Sequence, residues 1–165
     1  MEQEYARYYG LSTGIFRGSC STGPNHAGAE LHGFLAYLVK ASVRDIEYKI
    51  FGYKGKQVRD QLHSYDVAAA FYEFYKNPRP GEVYNLGGGR ANSASVLETI
   101  QKIEKILGRK IRSVYVDQNR EGDHICYISN MRKFRDHFPT WKVSKPLDVI
   151  LEEILEAQQL RCAEF

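Results

Sequence analysis

Between residues 52 and 60 the chain reads GYKGKQVRD, which crowds Lys54, Lys56 and Arg59 beside two glycines and against Asp60. A second arginine, Arg120 in QNREGDHI, has Asp123 three residues on. A guanidinium offers two parallel N–H donors that match two phosphate oxygens, and a neighbouring carboxylate can orient that fork or accept a ribose hydroxyl. From residue types alone such pairs read more readily as exposed ion pairs of little energetic worth. Residue types alone leave both readings open: a cradle for a phosphorylated ligand, or a solvated basic hairpin.

Other chemistry finds less support. His26, His32, His63, His124 and His137 show neither HxH nor HExxH spacing, so no metal site is expected. Cys20, Cys126 and Cys162 are odd in number and widely spaced, which indicates reduced thiols and a cytoplasmic setting rather than a disulfide framework or zinc knuckle. Cys20 falls in a loop after a strand, but no base is identifiable for it as a nucleophile. Gly87-Gly88-Gly89 sits between a strand and a helix, yet GGGRANS lacks the G-x-G-x-x-G spacing of a dinucleotide loop, so a tight connection is the better reading.

The elements that must position these groups follow from periodicity. A helix over Glu2 to Tyr9 stops at Gly10, and Thr13 to Arg17 forms a strand leading into the loop GSCSTGPN. Glu30 to Arg44 is an amphipathic helix, with strands at Tyr48 to Phe51 and Val58 to Ser64 joined by the basic stretch. Asp66 is the expected N-cap of a helix over Val67 to Lys76, and Glu82 to Leu86 is the next strand. Ser93 or Ser95 caps a helix ending at Leu107-Gly108, with Glu98 placed for a capping box if Ser95 is the cap. IRSVYV is a strand, Asn130 to His137 a short helix, and Leu147 to Gln159 a closing helix with one apolar face.

With 165 residues, 43% of them hydrophobic and 26% charged, the chain suits one soluble globular domain. A net charge of +3 is too small and too mixed to argue for nucleic acid, and no stretch is apolar enough for a signal peptide or a membrane span. Strands alternating with helices predict an α/β layered fold with a mainly parallel sheet. A doubly wound domain normally opens on a strand and a glycine-rich phosphate turn, whereas this chain opens on a helix.

FGYKGKQVRDQLHSYDVAAAF, GEVYNLGGG with SVLETIQKIEKILGRK, VDQNREGDHICYISNMRKF and FRGSCSTGPN together resemble ordered segments of the extended short-chain dehydrogenase/reductases, the NAD-dependent epimerases and dehydratases. The resemblance is collinear from Glu4 to Ala157, and is closest to the CDP-sugar 2-epimerases that interconvert CDP-paratose and CDP-tyvelose. It implies the C-terminal part of a Rossmann-like doubly wound sheet plus a small α/β nucleotide-sugar-binding subdomain, read as a single unit over residues 1–165. Where many relatives carry Asn, this chain has Cys20.

By position, the resemblance implies that Arg59 and Arg120 hold the nucleotide diphosphate and that Asp123 lies near the nucleotide ribose. Phe51, Gly52 and Tyr53 would lie against the base or ribose. Gly23, Pro24 and Asn25 would form the loop between the nicotinamide end of NAD, the implied cofactor, and the sugar of a CDP-deoxyhexose. The family's glycine-rich NAD loop and its Tyr-x-x-x-Lys pair are not found in the sequence, so no catalytic residue is assigned and the expected entity is a substrate-binding half. The implied partner is a separately encoded N-terminal half. The strand over Thr13 to Arg17, left without a neighbour, would expose an edge and favour homo-oligomers.

Overall fold

The computed structural model describes residues 1–29 and 33–163. Helix α1 (Glu2–Tyr9) ends where Gly10 turns to φ 65°, a left-handed cap that a side chain would strain. Strand β1 (Ile15–Gly18) is followed after one residue by β2 (Cys20–Thr22), so the expected GSCST loop is strand at its start. Helix α2 (Phe34–Val43) covers the described part of the predicted amphipathic helix; Glu30, Leu31 and His32 lie outside the described residues.

Strand β3 (Tyr48–Phe51) matches its expected span, and β4 (Val58–His63) runs directly into α3 (Ser64–Lys76). These two strands do not form a hairpin. β3 pairs in parallel with β7 (Ser113–Val116), whereas β4 pairs with strands from elsewhere. The stretch between them turns through consecutive left-handed residues, Tyr53 at φ 48° and Lys54 at φ 52°. That backbone aims the strands at different partners.

The two halves of β4 divide its neighbours. Gln61 to His63 pair in parallel with Cys20 to Thr22 of β2, and Val58 to Asp60 pair antiparallel with β6 (Ser93–Ser95). On its other edge, Val58 and Arg59 take β8 (Cys126–Tyr127) in parallel. β1 pairs in parallel with β5 (Val83–Leu86). No other described strand pairs with β1, and Tyr5, Tyr8, Tyr9 and Phe71 are exposed. The result is the α/β architecture with parallel pairing that the element order predicted, with β4·β6 as an antiparallel exception.

Helix α4 (Val96–Leu107) starts on a full capping box, in which Ser95 Oγ accepts from the Glu98 amide and Glu98 Oε2 accepts from the Ser95 amide. Ser93 plays no such part: its hydroxyl donates to the Arg90 carbonyl. Helix α5 (Arg132–His137) begins two residues later than expected, and α6 (Leu147–Ala163) runs past Gln159.

Asp66 is not the cap of α3. The helix begins earlier, and His63 Nδ1 accepts from the Tyr65 amide at 3.0 Å as its N-cap. The Asp66 carboxylate, 1% exposed, instead takes the Ser144 amide and hydroxyl and the Lys145 amide. It thereby pins the segment ahead of α6 to α3.

Apolar side chains collect into two cores. One joins α2, α4 and α6 through residues such as Leu38, Ile103, Ile150 and Ile154. The other joins β4, α3, β5 and α5 through Leu62, Phe74, Tyr84 and Phe134. β4 gives Leu62 to the second core, while Arg59 and Gln61 of β4 and Cys20 and Thr22 of β2 line an open space beside the cores.

Candidate functional site

That space is a cleft of about 660 Å³. Its walls come from β2 and the residues before it (Ser19, Cys20, Thr22), from α2 (Phe34, Leu35), from β3 (Tyr48, Phe51), from β4 (Arg59, Gln61) and from the loop holding Arg120 and Asp123. This is a size suited to a nucleotide-scale ligand.

Arg59 is at the centre. Its Nη2 pairs with Asp123 Oδ1, although the two residues are 64 apart in sequence, and its Nη1 donates to its neighbour's carbonyl, Val58 O, at 2.7 Å. Their side chains are 12% and 20% exposed, so this is not a solvated surface pair. The sequence paired Arg59 with its neighbour Asp60, and Arg120 with Asp123; the structure re-sorts them. Alternation along the strand sends Asp60 to the opposite face, where its Oδ2 accepts the Gly89 and Ser129 amides.

Asp123 reaches Arg59 because the loop is tightly built. The Asp123 amide donates to Arg120 O at 3.2 Å, closing a turn in which Gly122 takes φ 71°. The Val58 amide then donates to Ile125 O, stitching the loop's end to β4. Arg120 lines the same cleft, near enough to Tyr48 for its charge to act on that hydroxyl. Burial nevertheless pushes the Tyr48 hydroxyl up to about 12, so it stays a neutral hydrogen-bonding group.

Of the residues named from sequence, Phe51, Arg59, Arg120 and Asp123 come together around the cleft. Gly52 and Tyr53 lie just beyond its lining, with Gly52 buried at φ 59° against Asn119. Gly23, Pro24 and Asn25 stand beside it rather than on it: Gly23 packs on Ser64 and His63, and Asn25 Oδ1 accepts from Arg161 at 3.3 Å. Lys54 and Lys56 are exposed and outside the lining, so of the opening basic cluster Arg59 alone belongs to the cleft.

The sequence reading missed Gln57 and Gln61. They share a face with Arg59 through the two-residue period of the strand, and the spacing Gln-x-Arg-x-Gln is the signal that would have found them. Gln57 Nε2 is tied to Phe51 O at 3.0 Å. Gln61 is 2% exposed, and its amide meets the weakly hydrogen-bonding thiol of Cys20 with no stronger partner among the described residues. Ser19 Oγ is unsatisfied, but it lies near Gly87 with Asp60 and Ser129. Burial pushes the Cys20 thiol up, which argues against a reactive thiolate.

The parallel strand pairing of this α/β layer is that of the doubly wound class. The chain belongs to the NAD dependent epimerase/dehydratase family, whose sequence profile matches residues 1–87. It is 28% identical over 137 residues to CDP-paratose 2-epimerase of Salmonella typhi, covering 79% of this chain and 40% of that protein. Among solved structures it resembles UDP-glucose 4-epimerase of Thermotoga maritima with UDP-glucose, at 25% identity and a TM-score of 0.80 over 99% of this chain and 50% of the other. It also resembles dTDP-glucose 4,6-dehydratase of Bacillus anthracis in complex with NAD, at 25% identity and a TM-score of 0.80, over 96% and 48%. The chain thus spans half or less of the length of these relatives.

The family's cofactor finds no diphosphate site at the glycine run after β5. Gly87-Gly88-Gly89 does not form a cradle open to a pyrophosphate. A Cβ on Gly88 would collide with the Gln61 carbonyl, and one on Gly87 with Asp60, Ser129 and Ser19. These glycines let β4 and the chain after β5 approach closely, so among the described residues this run does not fit the dinucleotide's diphosphate. Metal ligands do not gather either: no cluster of His, Cys, Asp and Glu suited to a metal ion occurs among the described residues. No described helix is long and apolar enough to cross a membrane.

Proposed function

We propose that this chain is the substrate-binding part of a nucleotide-sugar epimerase or dehydratase, holding the diphosphate of a nucleotide sugar on Arg59 and Arg120. The observation that carries this reading is the convergence of both arginines and Asp123 on one cleft from segments some 60 residues apart in sequence. Asp123, held by Arg59 and by the turn at Gly122, is placed to accept a ribose hydroxyl. Phe51, with Gly52 and Tyr53 behind it, supports the nucleoside. Relatives named for CDP-, UDP- and dTDP-sugars bear on the same class of ligand.

Within that class we favour a CDP-deoxyhexose and the 2-epimerase reaction, oxidation at sugar C2 and return of the hydride, on the likeness to CDP-paratose 2-epimerase. The NAD would be held chiefly by residues of an N-terminal half, with Gly23 and Pro24 at its nicotinamide end and Asn25 toward the sugar. The open edge of β1 and the exposed Tyr5, Tyr8 and Phe71 favour association with that half or between copies of this chain. The rival is a non-catalytic nucleotide-sugar-binding or dimerisation module, which the same cleft would serve. Calorimetric titration with CDP, UDP and NAD tests the proposal: saturable binding of a nucleoside diphosphate supports it, and no binding of either diphosphate removes it. Supplying the proposed N-terminal half and assaying epimerisation separates the enzyme part from the module.

A further inference from the structure

A buried amide without partners is costly. Leaving such a group unsatisfied forfeits about 1–3 kcal/mol, and a leucine of similar size would fill the same space without that cost. Gln61 is close to this position: 2% exposed, with the weakly hydrogen-bonding thiol of Cys20, its neighbour across the β2–β4 register, against its amide and no stronger partner among the described residues. It lines the cleft.

Its place along β4 says which part of the ligand it meets. Gln57, at the near end, is tied to Phe51, and its carbonyl accepts the Val96 amide, so that end is aromatic and apolar. Arg59 follows, and Gln61 lies one two-residue repeat further, roughly 7 Å along the strand. Beside Gln61 across the register stands Cys20. A nucleotide sugar with its nucleoside on Phe51 and its diphosphate on Arg59 therefore brings its hexosyl group to Gln61.

We propose that Gln61 is a specificity-determining residue whose amide binds a hydroxyl of the hexosyl group. A hydroxyl both donates and accepts, as the amide does, and an apolar or deoxygenated position there would leave the amide unpaired. This rests on the nucleotide-sugar reading of the cleft.

The test is calorimetric titration of the full chain and of Gln61→Leu with UDP, UDP-glucose, CDP and CDP-glucose, together with their thermal melts. The wild type binds each sugar nucleotide more tightly than its diphosphate. Gln61→Leu loses about 2- to 10-fold of sugar-nucleotide affinity with the diphosphates unchanged, as expected for one neutral hydrogen bond. Its melting temperature holds or rises, because a buried amide with only a weak thiol partner has been removed. Gln61→Met behaves alike, so a poorly folding leucine variant does not decide the matter.

An unchanged sugar increment in the variants, or no increment in the wild type, overturns the inference and leaves the nucleotide cleft standing. A fall in the melting temperature of both variants overturns it as well, since the amide is then structural. If no nucleotide binds the wild type, the cleft reading and this inference fail together.

Discussion

Arg59 and Asp123 form a half-buried ion pair that ties the first half of β4 to the turn at Gly122. The pair closes the cleft on one side and sets the guanidinium's direction. Because both partners are largely shielded, removing one leaves a charge without compensation. Asp123→Ala is expected to lower stability by about 2–3 kcal/mol in urea unfolding, with an effect that persists in 0.5 M salt. A loss below 0.5 kcal/mol would place the pair among ordinary surface contacts.

The Asp66 carboxylate accepts bonds from the Ser144 amide and hydroxyl and from the Lys145 amide. Asp66→Ala strands those donors and should cost about 3 kcal/mol, more than the roughly 1 kcal/mol typical of a lost helix cap. Urea melts of Asp66→Ala and Asp66→Asn measure this. A loss of only 1 kcal/mol in the alanine variant would restore the simple capping role.

Acid sensitivity should include contributions from Glu153 and Glu98. The hydrogen bond from Lys145 lowers the Glu153 carboxyl, with further help from His63, and the Ser95 amide lowers Glu98. A depressed carboxyl contributes stability that is present above its ordinary value of 4.5 and is lost as pH falls through the lowered one. The stability gap between wild type and Glu153→Gln should therefore be largest near neutrality and shrink below pH 4.5. A gap that widened in acid would reverse the assignment.

Cys20 lies in the cleft with its thiol pushed up by burial, whereas Cys126 and Cys162 are exposed. At pH 7.5 iodoacetamide should alkylate the two exposed cysteines well before Cys20, and a bound nucleotide sugar should slow Cys20 further. Mass spectrometry of the peptides reads this directly. Rapid, ligand-independent alkylation of Cys20 would mean that it does not face the ligand.

Much of the fold was legible because its signals are local. Apolar periodicity marks α2, α4 and α6, Gly10 and Gly108 end their helices in left-handed turns, and Ser95 with Glu98 three residues on is a complete cap. What escaped depends on distant partners. β2, β6 and β8 are two or three residues long, too short to show a pattern, and exist because β4 offers them hydrogen bonds. The apparent hairpin at Gly52 failed for the same reason, since β3 finds its partner in β7.

The site divides in the same way. Arg59, Arg120, Asp123 and Phe51 stood out by residue type and by resemblance. That Asp123 serves Arg59, and that Asp60 turns away, required the third dimension. Asp66 looked like a cap because Asp before an apolar run usually is one, but an imidazole at His63 had already filled that role.

The most direct measurement is calorimetric titration of the full chain and its Arg120→Ala variant with CDP and UDP, with melts to verify folding. The account predicts saturable binding of at least one diphosphate that weakens 10-fold or more in the variant while the variant remains folded. Equal binding by both proteins, or none by the folded wild type, would contradict it.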